Sequence, residues 1–148
     1  MITATSFTGY GYWLEHGATS LWEWFRDLNE SFEGSKNHHF FGDISSLFIQ
    51  EFAGLKPNPR MEDVDEFEIS PRIPTVLRFA EARYEGRRGQ IRTRWEKTEK
   101  GIQLTVEAPE GVRVTIVPPE WDHHQSVGDS ETILFEEERK ITRVFKIQ

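Results

Sequence analysis

The 148-residue sequence contains no cysteine. Without thiols, the chain can form neither disulfides nor thiolate metal sites. A reducing compartment fits this composition and so does a secreted bacterial protein, which leaves localisation open between the cytoplasm and the secreted or periplasmic space. The sequence also lacks any run of about 18 apolar residues, so we expect no membrane-spanning helix. Its N-terminus lacks the basic and then apolar pattern of a signal peptide.

Basic charge is scarce as well, since 18 Lys and Arg residues stand against 25 Asp and Glu residues, for a net charge of −7. Nucleic-acid binding needs a dense basic surface that neutralises phosphates, so we expect no nucleic-acid partner. The basic cluster from Arg83 to Arg94 includes Glu85 and lies in a strand-like segment. We interpret it as a solvated face, with Gly86 to Gly89 as a hairpin turn. Aromatic residues are abundant at 13%, which suits a dense core or a sugar-stacking surface.

The periodicity of the sequence changes near residue 55. Before it, apolar residues recur at three- and four-residue steps, which predicts a helix from Asn37 to Phe52. Asn37 is the expected N-cap, and Gly54 is expected to stop the helix in a left-handed conformation. We expect this helix to be buried, because its apolar stripe is wide and rich in Phe: Phe40, Phe41, Ile44, Leu47, Phe48 and Phe52.

After residue 65 the period becomes two, as in Ile102, Leu104 and Val106, which alternate with polar residues. A first strand is expected near Phe67 to Ser70. About six to eight short alternating strands predict an antiparallel β-sandwich with one solvent-facing side per sheet. The fold class is therefore mainly β with a helical N-terminal segment. We predict three parts, residues 1–55, a linker at 56–65, and residues 66–148.

Tyr10 to Phe25 is a second aromatic run, with three Trp, two Tyr and one Phe. One helix cannot cover that much apolar surface. Such an area predicts an interaction surface, covered either by a missing partner or by self-association.

Candidate functional residues concentrate in residues 9–25, GYGYWLEHGATSLWEWF, and in residues 37–43, NHHFFGD. Glu23 stands between Trp22 and Trp24. Indoles on both sides can exclude water from a carboxylate and favour its protonated form, as general acid–base catalysis requires. Aromatic planes also suit the C–H faces of pyranose sugars. On spacing alone, a surface glutamate between two core tryptophans remains an alternative.

The pattern GYGYWLExGAT(S/T)LWExW, followed by NHxxFG, resembles glycoside hydrolase family 78, the α-L-rhamnosidases. The order of motif, helix, proline-rich link and β-rich half is similar too. The resemblance implies the last helices of an incomplete (α/α)6 barrel, followed by an antiparallel β-sandwich. It also implies hydrolysis of terminal α-L-rhamnose with inversion, without a cofactor. The implied substrate is a rhamnose-containing glycoside or oligosaccharide.

The resemblance assigns roles residue by residue. The glutamate of the family's LWE motif is the general base, which implies that role for Glu23. The histidine of the NH motif contacts the sugar, which implies the same for His38, and Trp22 and Trp24 would wall the pocket. The general acid of the family comes from an upstream motif that this sequence lacks. We therefore expect the chain to be inactive alone and to need the missing barrel portion of the same enzyme.

A different class of function remains open. The chain is alternatively a non-catalytic carbohydrate-binding or structural β-sandwich module that retains a helical piece, in which case Glu23 has no catalytic role. Glu15 is interpreted as a structural residue, and no role is assigned to His39. We predict no metal site at Asp122-His123-His124, because adjacent histidines in one loop rarely reach the same ion.

Overall fold

The structure, a computed structural model, describes residues 4–25, 34–58, 65–121, 124–125, 128–137 and 139–146. Two compact units divide the chain, an N-terminal unit, Met1–Ser45, and a C-terminal unit, Ser46–Gln148. Strands dominate the regular structure and helices are few, which confirms the predicted mainly β class. The limits predicted for three parts of the chain stay predictions, since residues 59–64 of the linker lie outside the described residues. No helix within the described ranges is long and apolar enough to cross a membrane.

Helical structure consists of three short pieces. Helix α1 is Tyr10–Glu15, helix α2 is Ile44–Ser46, and a π-helix follows at Leu47–Phe52. The wide π turn is closed by the Ala53 N–H, which donates to the Phe48 carbonyl at 3.0 Å. Gly54 then ends it with φ of +78°, where a Cβ would collide with Pro71. The left-handed stop predicted at Gly54 is confirmed.

The predicted start of this helix at Asn37 is wrong. The Asn37 N–H donates to the Ser35 hydroxyl at 3.1 Å, and the Gly42 N–H donates to the His39 carbonyl at 2.8 Å. The second bond is an i to i+3 turn that occupies the His39 carbonyl, which an α-helix would pair with the Asp43 N–H, so residues 40–43 form turns instead. The predicted burial is wrong as well, because 67% of Phe40 and 44% of Phe48 are exposed.

Strands fill the C-terminal unit. Those in the described residues are β1 Leu55–Pro57, β2 Asp65–Ile69, β3 Arg72–Ile73, β4 Phe79–Gly86, β5 Gly89–Thr98, β6 Gly101–Ala108, β7 Val112–Ile116, β8 Glu120–Trp121, β9 His124–Gln125, β10 Glu131–Leu134 and β11 Arg139–Phe145. They form a four-stranded sheet in the order β1-β2-β7-β10, a second in the order β11-β6-β5-β4, and a small third in the order β3-β8-β9. The predicted turn at Gly86 to Gly89 closes the β4–β5 hairpin.

Most neighbouring strands pair antiparallel, as predicted, but two pairs are parallel. Strand β2 pairs with β7 with Phe67 opposite Val114, and β3 pairs with β8. Parallel partners need a long connection between them. The residues between β2 and β7 provide it, and they contribute β4, β5 and β6 to the second sheet on the way.

One hydrophobic core joins the two four-stranded sheets into a sandwich. The core forms because each strand turns alternate side chains inward. In strand β6, every second residue from Ile102 to Ala108 is buried. Trp95 of β5 is fully buried, and its Nε1–H donates to the Phe52 carbonyl, which binds the π-helix to the second sheet. The core contains Ala53, Leu55, Phe67, Ile69, Ile73, Ala82, Ile91, Trp95, Ile102, Leu104, Val106, Ala108, Val112, Val114, Ile116, Phe135 and Phe145.

Charged residues cover the outer face of the second sheet. Glu81 of β4 accepts from Arg92 at 2.7 Å and from Arg83 at 3.1 Å. Arg92 also contacts Glu107 at 3.5 Å, and Lys140 contacts Glu107 at 3.2 Å. The basic cluster is thus a solvated face whose charges are paired across strands, in agreement with the sequence-based interpretation.

Replacing Glu81 by Gln is expected to destabilise the C-terminal unit at neutral pH by a few degrees of melting temperature, as suits a partly exposed ion pair. The Arg92 guanidinium, assisted by Arg83, lowers the pKa of Glu81 from 4.5 to about 2. Because folding depresses this pKa, the carboxylate stabilises the fold fully above its unfolded value, and the effect is lost as pH falls through the folded value. The gap between wild type and Glu81→Gln should therefore close between about pH 4.5 and about pH 2.

Thermal unfolding followed by far-UV circular dichroism over this pH range measures that gap. Glu85→Gln is the matched control, because Glu85 lies on the same strand and accepts a hydrogen bond from Gln90 rather than from an arginine. A gap that persists unchanged down to pH 2 would contradict the assignment of the stabilisation to Glu81.

Candidate functional site

A compact aromatic cluster forms the core of the N-terminal unit. Trp13 of α1 is only 2% exposed, and its ring stacks on Phe25 with centroids 4.2 Å apart and planes 13° apart. Tyr10, one turn earlier on the same helix face, contacts the Trp13 ring at 5.4 Å. Phe41 and Trp22 approach Trp13 at 5.6 and 6.0 Å. Part of the aromatic run therefore packs against itself, which the sequence analysis had not anticipated.

Tyr10 contributes a partly buried polar group to this cluster. Its hydroxyl donates to the Phe41 carbonyl at 3.3 Å. Burial raises the pKa of the Tyr10 phenol above its ordinary value of 10.0, so the group is neutral at physiological pH. Its role is to fasten α1 to the turn that precedes α2.

Other apolar side chains of the same unit remain open to solvent. The exposed fraction is 72% for Leu14, 67% for Phe40, and 48% for both Phe7 and Trp24. Burying large apolar side chains is favourable, so this surface is suited to contact with another body.

Two segments that carry the candidate residues lie side by side. The Glu23 N–H donates to the Ser35 carbonyl at 2.9 Å, and the His38 N–H donates to the Leu21 carbonyl at 2.8 Å. The Ser20 hydroxyl adds a bond to the Lys36 carbonyl. Together these bonds place the LWE segment against the NH segment, so Glu23 and His38 belong to one local structure.

The Glu23 side chain is partly buried and held at one oxygen. Its Oε2 accepts a hydrogen bond from the Ser35 backbone N–H at 3.0 Å. The flanking indoles have different surroundings. Trp22 is 4% exposed and has the Lys36 ammonium 5.3 Å from its ring centroid, whereas Trp24 is 48% exposed. In a strand the two indoles would share a face, but the chain bends at Glu23, so one indole lies in the core and the other on the surface.

His38 is half-buried and has a defined ring orientation. Its Nδ1 accepts from the Phe40 N–H at 3.3 Å, and its ring lies against His39, with centroids 5.1 Å apart, and against Phe40 at 4.1 Å. Because Nδ1 accepts, a neutral His38 carries its proton on Nε2. That N–H is then a donor suited to a hydroxyl or another oxygen acceptor.

Ser35 and Gly34 were missed by the sequence analysis. The available signal was weak, since a Gly-Ser pair is common in any turn. Their contacts with Glu23 and Trp24 depend on the pairing of two segments and cannot be read from spacing.

No group of three or more His, Asp or Glu side chains in the described part of the chain is arranged to hold a metal ion. The Asp122-His123-His124 stretch lies outside the residues whose side chains are described. The resemblance also implies no cofactor, and that expectation remains a prediction.

A concave surface lies on the C-terminal unit. It is a groove of about 400 Å³ whose polar lining comprises Lys56, Asn58, Glu66, Glu68, Arg113 and Thr115. Arg113 and Glu66 already pair at 2.6 Å. The aromatic residue among its lining is Phe67, which is only 3% exposed. This groove therefore provides no aromatic face for a sugar, which removes support from a carbohydrate-binding module at this position.

Two family models match the chain. Residues 1–52 match the bacterial α-L-rhamnosidase six-hairpin glycosidase domain, and residues 65–132 match the bacterial α-L-rhamnosidase C-terminal domain. A curated α-L-rhamnosidase of Alteromonas sp. (strain LOR) is 30% identical over 120 residues, which cover 77% of this chain and 13% of the relative. The chain thus spans only about an eighth of that protein.

Solved structures give the same result. An α-L-rhamnosidase from Dictyoglumus thermophilum superposes with a TM-score of 0.67 at 26% identity, covering 79% of this chain and 13% of that one. An α-L-rhamnosidase from Aspergillus terreus has a TM-score of 0.72 at 21% identity, covering 96% of this chain and 16% of that one. The second likeness concerns the fold alone.

Truncating Trp13 to Ala should destabilise the N-terminal unit by about 3–5 kcal/mol, because the ring is the buried centre of the aromatic cluster. Near-UV circular dichroism during thermal unfolding reports on this cluster. Leu14→Ala is the matched control on the same helix, since its side chain is 72% exposed and a change within about 0.5 kcal/mol is expected. Equal losses in the two variants would show that Trp13 is not the centre of the unit.

Proposed function

The chain belongs to the bacterial α-L-rhamnosidase family, and we propose that it supplies the general base of an inverting glycoside hydrolase that releases terminal α-L-rhamnose. The substrate is a rhamnose-containing glycoside or oligosaccharide. The proposal rests mainly on the position of Glu23, whose carboxylate is held at one oxygen beside the His38 segment.

Inversion at a sugar carbon needs two carboxyl groups, roughly 6.5–9.5 Å apart, with room for a water molecule. In the proposed reaction, Glu23 removes a proton from the water that attacks the anomeric carbon. The second group, a carboxylic acid, protonates the leaving oxygen on the opposite face. Two other carboxylates that the structure describes in the N-terminal unit, Glu15 and Asp43, are exposed at a helix end and in a turn. We assign the acid to the barrel portion outside this chain, and we expect the chain alone to be inactive.

The remaining roles follow from where each side chain lies. His38 would donate its Nε2–H to a sugar hydroxyl. Trp24, with nearly half of its surface exposed, would offer its ring to the C–H face of the sugar. Trp22 is buried, so it would not contact the sugar directly. It would instead support the backbone next to Glu23.

The exposed apolar side chains of the N-terminal unit point to a partner body. In a complete enzyme we assign the barrel portion of the same protein to this surface. In the isolated chain, a second copy would cover it. Both assignments follow from the cost of leaving Leu14, Phe40 and Trp24 in water.

In a complete enzyme that carries this chain in place of the matching segment of the Dictyoglumus thermophilum relative, Glu23→Gln should lower kcat on an aryl α-L-rhamnoside by about 10²–10⁴-fold. KM should change little, because an amide retains the shape of the carboxyl and loses only the proton acceptor. Glu15→Gln in the same enzyme is the matched control and should retain activity. The 148-residue chain by itself should show negligible hydrolysis. Near-normal turnover by the Glu23→Gln enzyme would refute the assignment of the base.

The isolated chain is also expected to self-associate through the apolar surface of its N-terminal unit. Sedimentation velocity over a range of concentrations should show a shift toward dimers or larger species. Replacing Leu14 and Phe40 by Lys should reduce that shift, whereas replacing Val76, which is 86% exposed in the C-terminal unit, should not. A chain that stays monomeric at high concentration would contradict this expectation.

A further inference from the structure

Glu23 and Ser35 exchange two hydrogen bonds. The Glu23 N–H donates to the Ser35 carbonyl at 2.9 Å, and the Ser35 N–H donates to Oε2 of the Glu23 side chain at 3.0 Å. The first bond sets the distance between the two backbones, and the second fixes the direction of the side chain. A glutamate has three rotatable side-chain bonds, so an unpaired one would lose much rotamer freedom on binding substrate. This pair removes that freedom beforehand.

The Ser35 N–H also distinguishes the two carboxylate oxygens. It engages Oε2 at 3.0 Å. With Oε2 engaged in this way, the proton from water would be received at Oε1. The contact thus sets the orientation of Glu23.

Gly34 provides the space in which this arrangement fits. A Cβ at Gly34 would lie 2.9 Å from Cδ1 and 3.3 Å from Nε1 of Trp24, and 3.5 Å from Oε2 of Glu23. The first distance is shorter than real side chains allow, so an alanine would displace the indole or the backbone. The indole and the carboxylate therefore both lie against the bare backbone of residue 34.

The hydroxyl of Ser35 acts on the other half of the site. It accepts from the Asn37 N–H at 3.1 Å and donates to the Asn37 carbonyl at 2.9 Å. This closes the turn that leads into His38, whose own N–H bonds to Leu21. Residue 35 is thus connected to Glu23 through its backbone and to the His38 segment through its side chain.

We infer that Gly34 and Ser35 are positioning residues for Glu23, with the Ser35 backbone N–H holding Oε2 so that Oε1 faces the attacking water. The inference rests on the proposed function, because orientation matters only if Glu23 is the base. Ser35 and Gly34 act through Glu23 and are not themselves catalytic.

The contact itself is tested on the 148-residue chain by nuclear magnetic resonance, without any assay of hydrolysis. The Ser35 amide proton and the Glu23 carboxyl carbon are followed from about pH 3 to about pH 7, a range that spans ordinary carboxyl titration. Both signals are expected to move with the same midpoint. In Glu23→Gln the Ser35 amide should no longer respond over that range. An amide that ignores pH in the wild-type chain, or that still titrates in Glu23→Gln, would overturn the inference.

The consequence for catalysis is tested in the complete enzyme described above. Ser35→Pro removes the N–H donor, while Ser35→Ala retains it and loses only the hydroxyl. Ser35→Pro and Gly34→Ala should lower kcat by about 10- to 100-fold, the range for a hydrogen bond to a charged group, with KM changed much less. Ser35→Ala should keep a kcat close to that of the unmodified enzyme. Equal kcat values for Ser35→Pro and Ser35→Ala would overturn the inference.

The two kinds of failure can be told apart. If the Ser35 amide follows the Glu23 carboxyl but Glu23→Gln remains active, the contact is real and the proposed base is wrong. If Glu23→Gln is inactive but the amide does not follow the carboxyl, Glu23 is the base and Ser35 does not position it. Should Ser35→Pro fail to fold, the titration of the wild-type chain still decides the contact.

Discussion

The candidate site depends on the pairing of two short segments that are distant in the chain. Backbone bonds join Glu23 to Ser35 and His38 to Leu21, and through them the LWE and NH motifs become a single piece of structure. Short irregular segments cannot hold a geometry by local propensity alone. The positions of Glu23 and His38 therefore depend on these few backbone hydrogen bonds.

That pairing is supported by the aromatic cluster beneath it. Trp13 lies at its centre. Trp22, the residue just before Glu23, packs in the same core. Burial of large rings supplies the apolar free energy that helix α1, at six residues, cannot obtain from its own hydrogen bonds. The bend at Glu23 leaves the Trp22 ring buried and the Trp24 ring partly exposed. A core residue and a surface residue thus flank the carboxylate.

The C-terminal unit is stabilised by regular β-structure. Two sheets bury alternate residues against each other, and the charged face of the second sheet pairs its own acids and bases, as around Glu81 and Arg92. That face is solvated, and a groove on the first sheet is lined in part by ion-paired groups. These properties suit a structural role for this unit, while the residues suited to chemistry lie in the N-terminal unit.

Local patterns in the sequence were sufficient for much of this description. Alternation at Ile102, Leu104 and Val106 predicted strand β6, because a strand turns its side chains to opposite sides at every step. Gly54 predicted a helix stop, because few other residues adopt positive φ. The motif around Glu23 and His38 indicated the family that the comparisons show.

Tertiary structure decided what depends on contacts between distant residues. The parallel pairing of β2 with β7 joins strands that are separated by four others in the chain, and no periodicity encodes such a partner. The helix predicted from Asn37 begins later because the His39 carbonyl accepts from the Gly42 N–H in a turn, a competition that apolar spacing does not reveal. The bond from Ser35 to Glu23 likewise exists only once two segments meet. Residue spacing along the chain determines which face a side chain takes, whereas hydrogen-bond partners far along the chain are chosen by the fold.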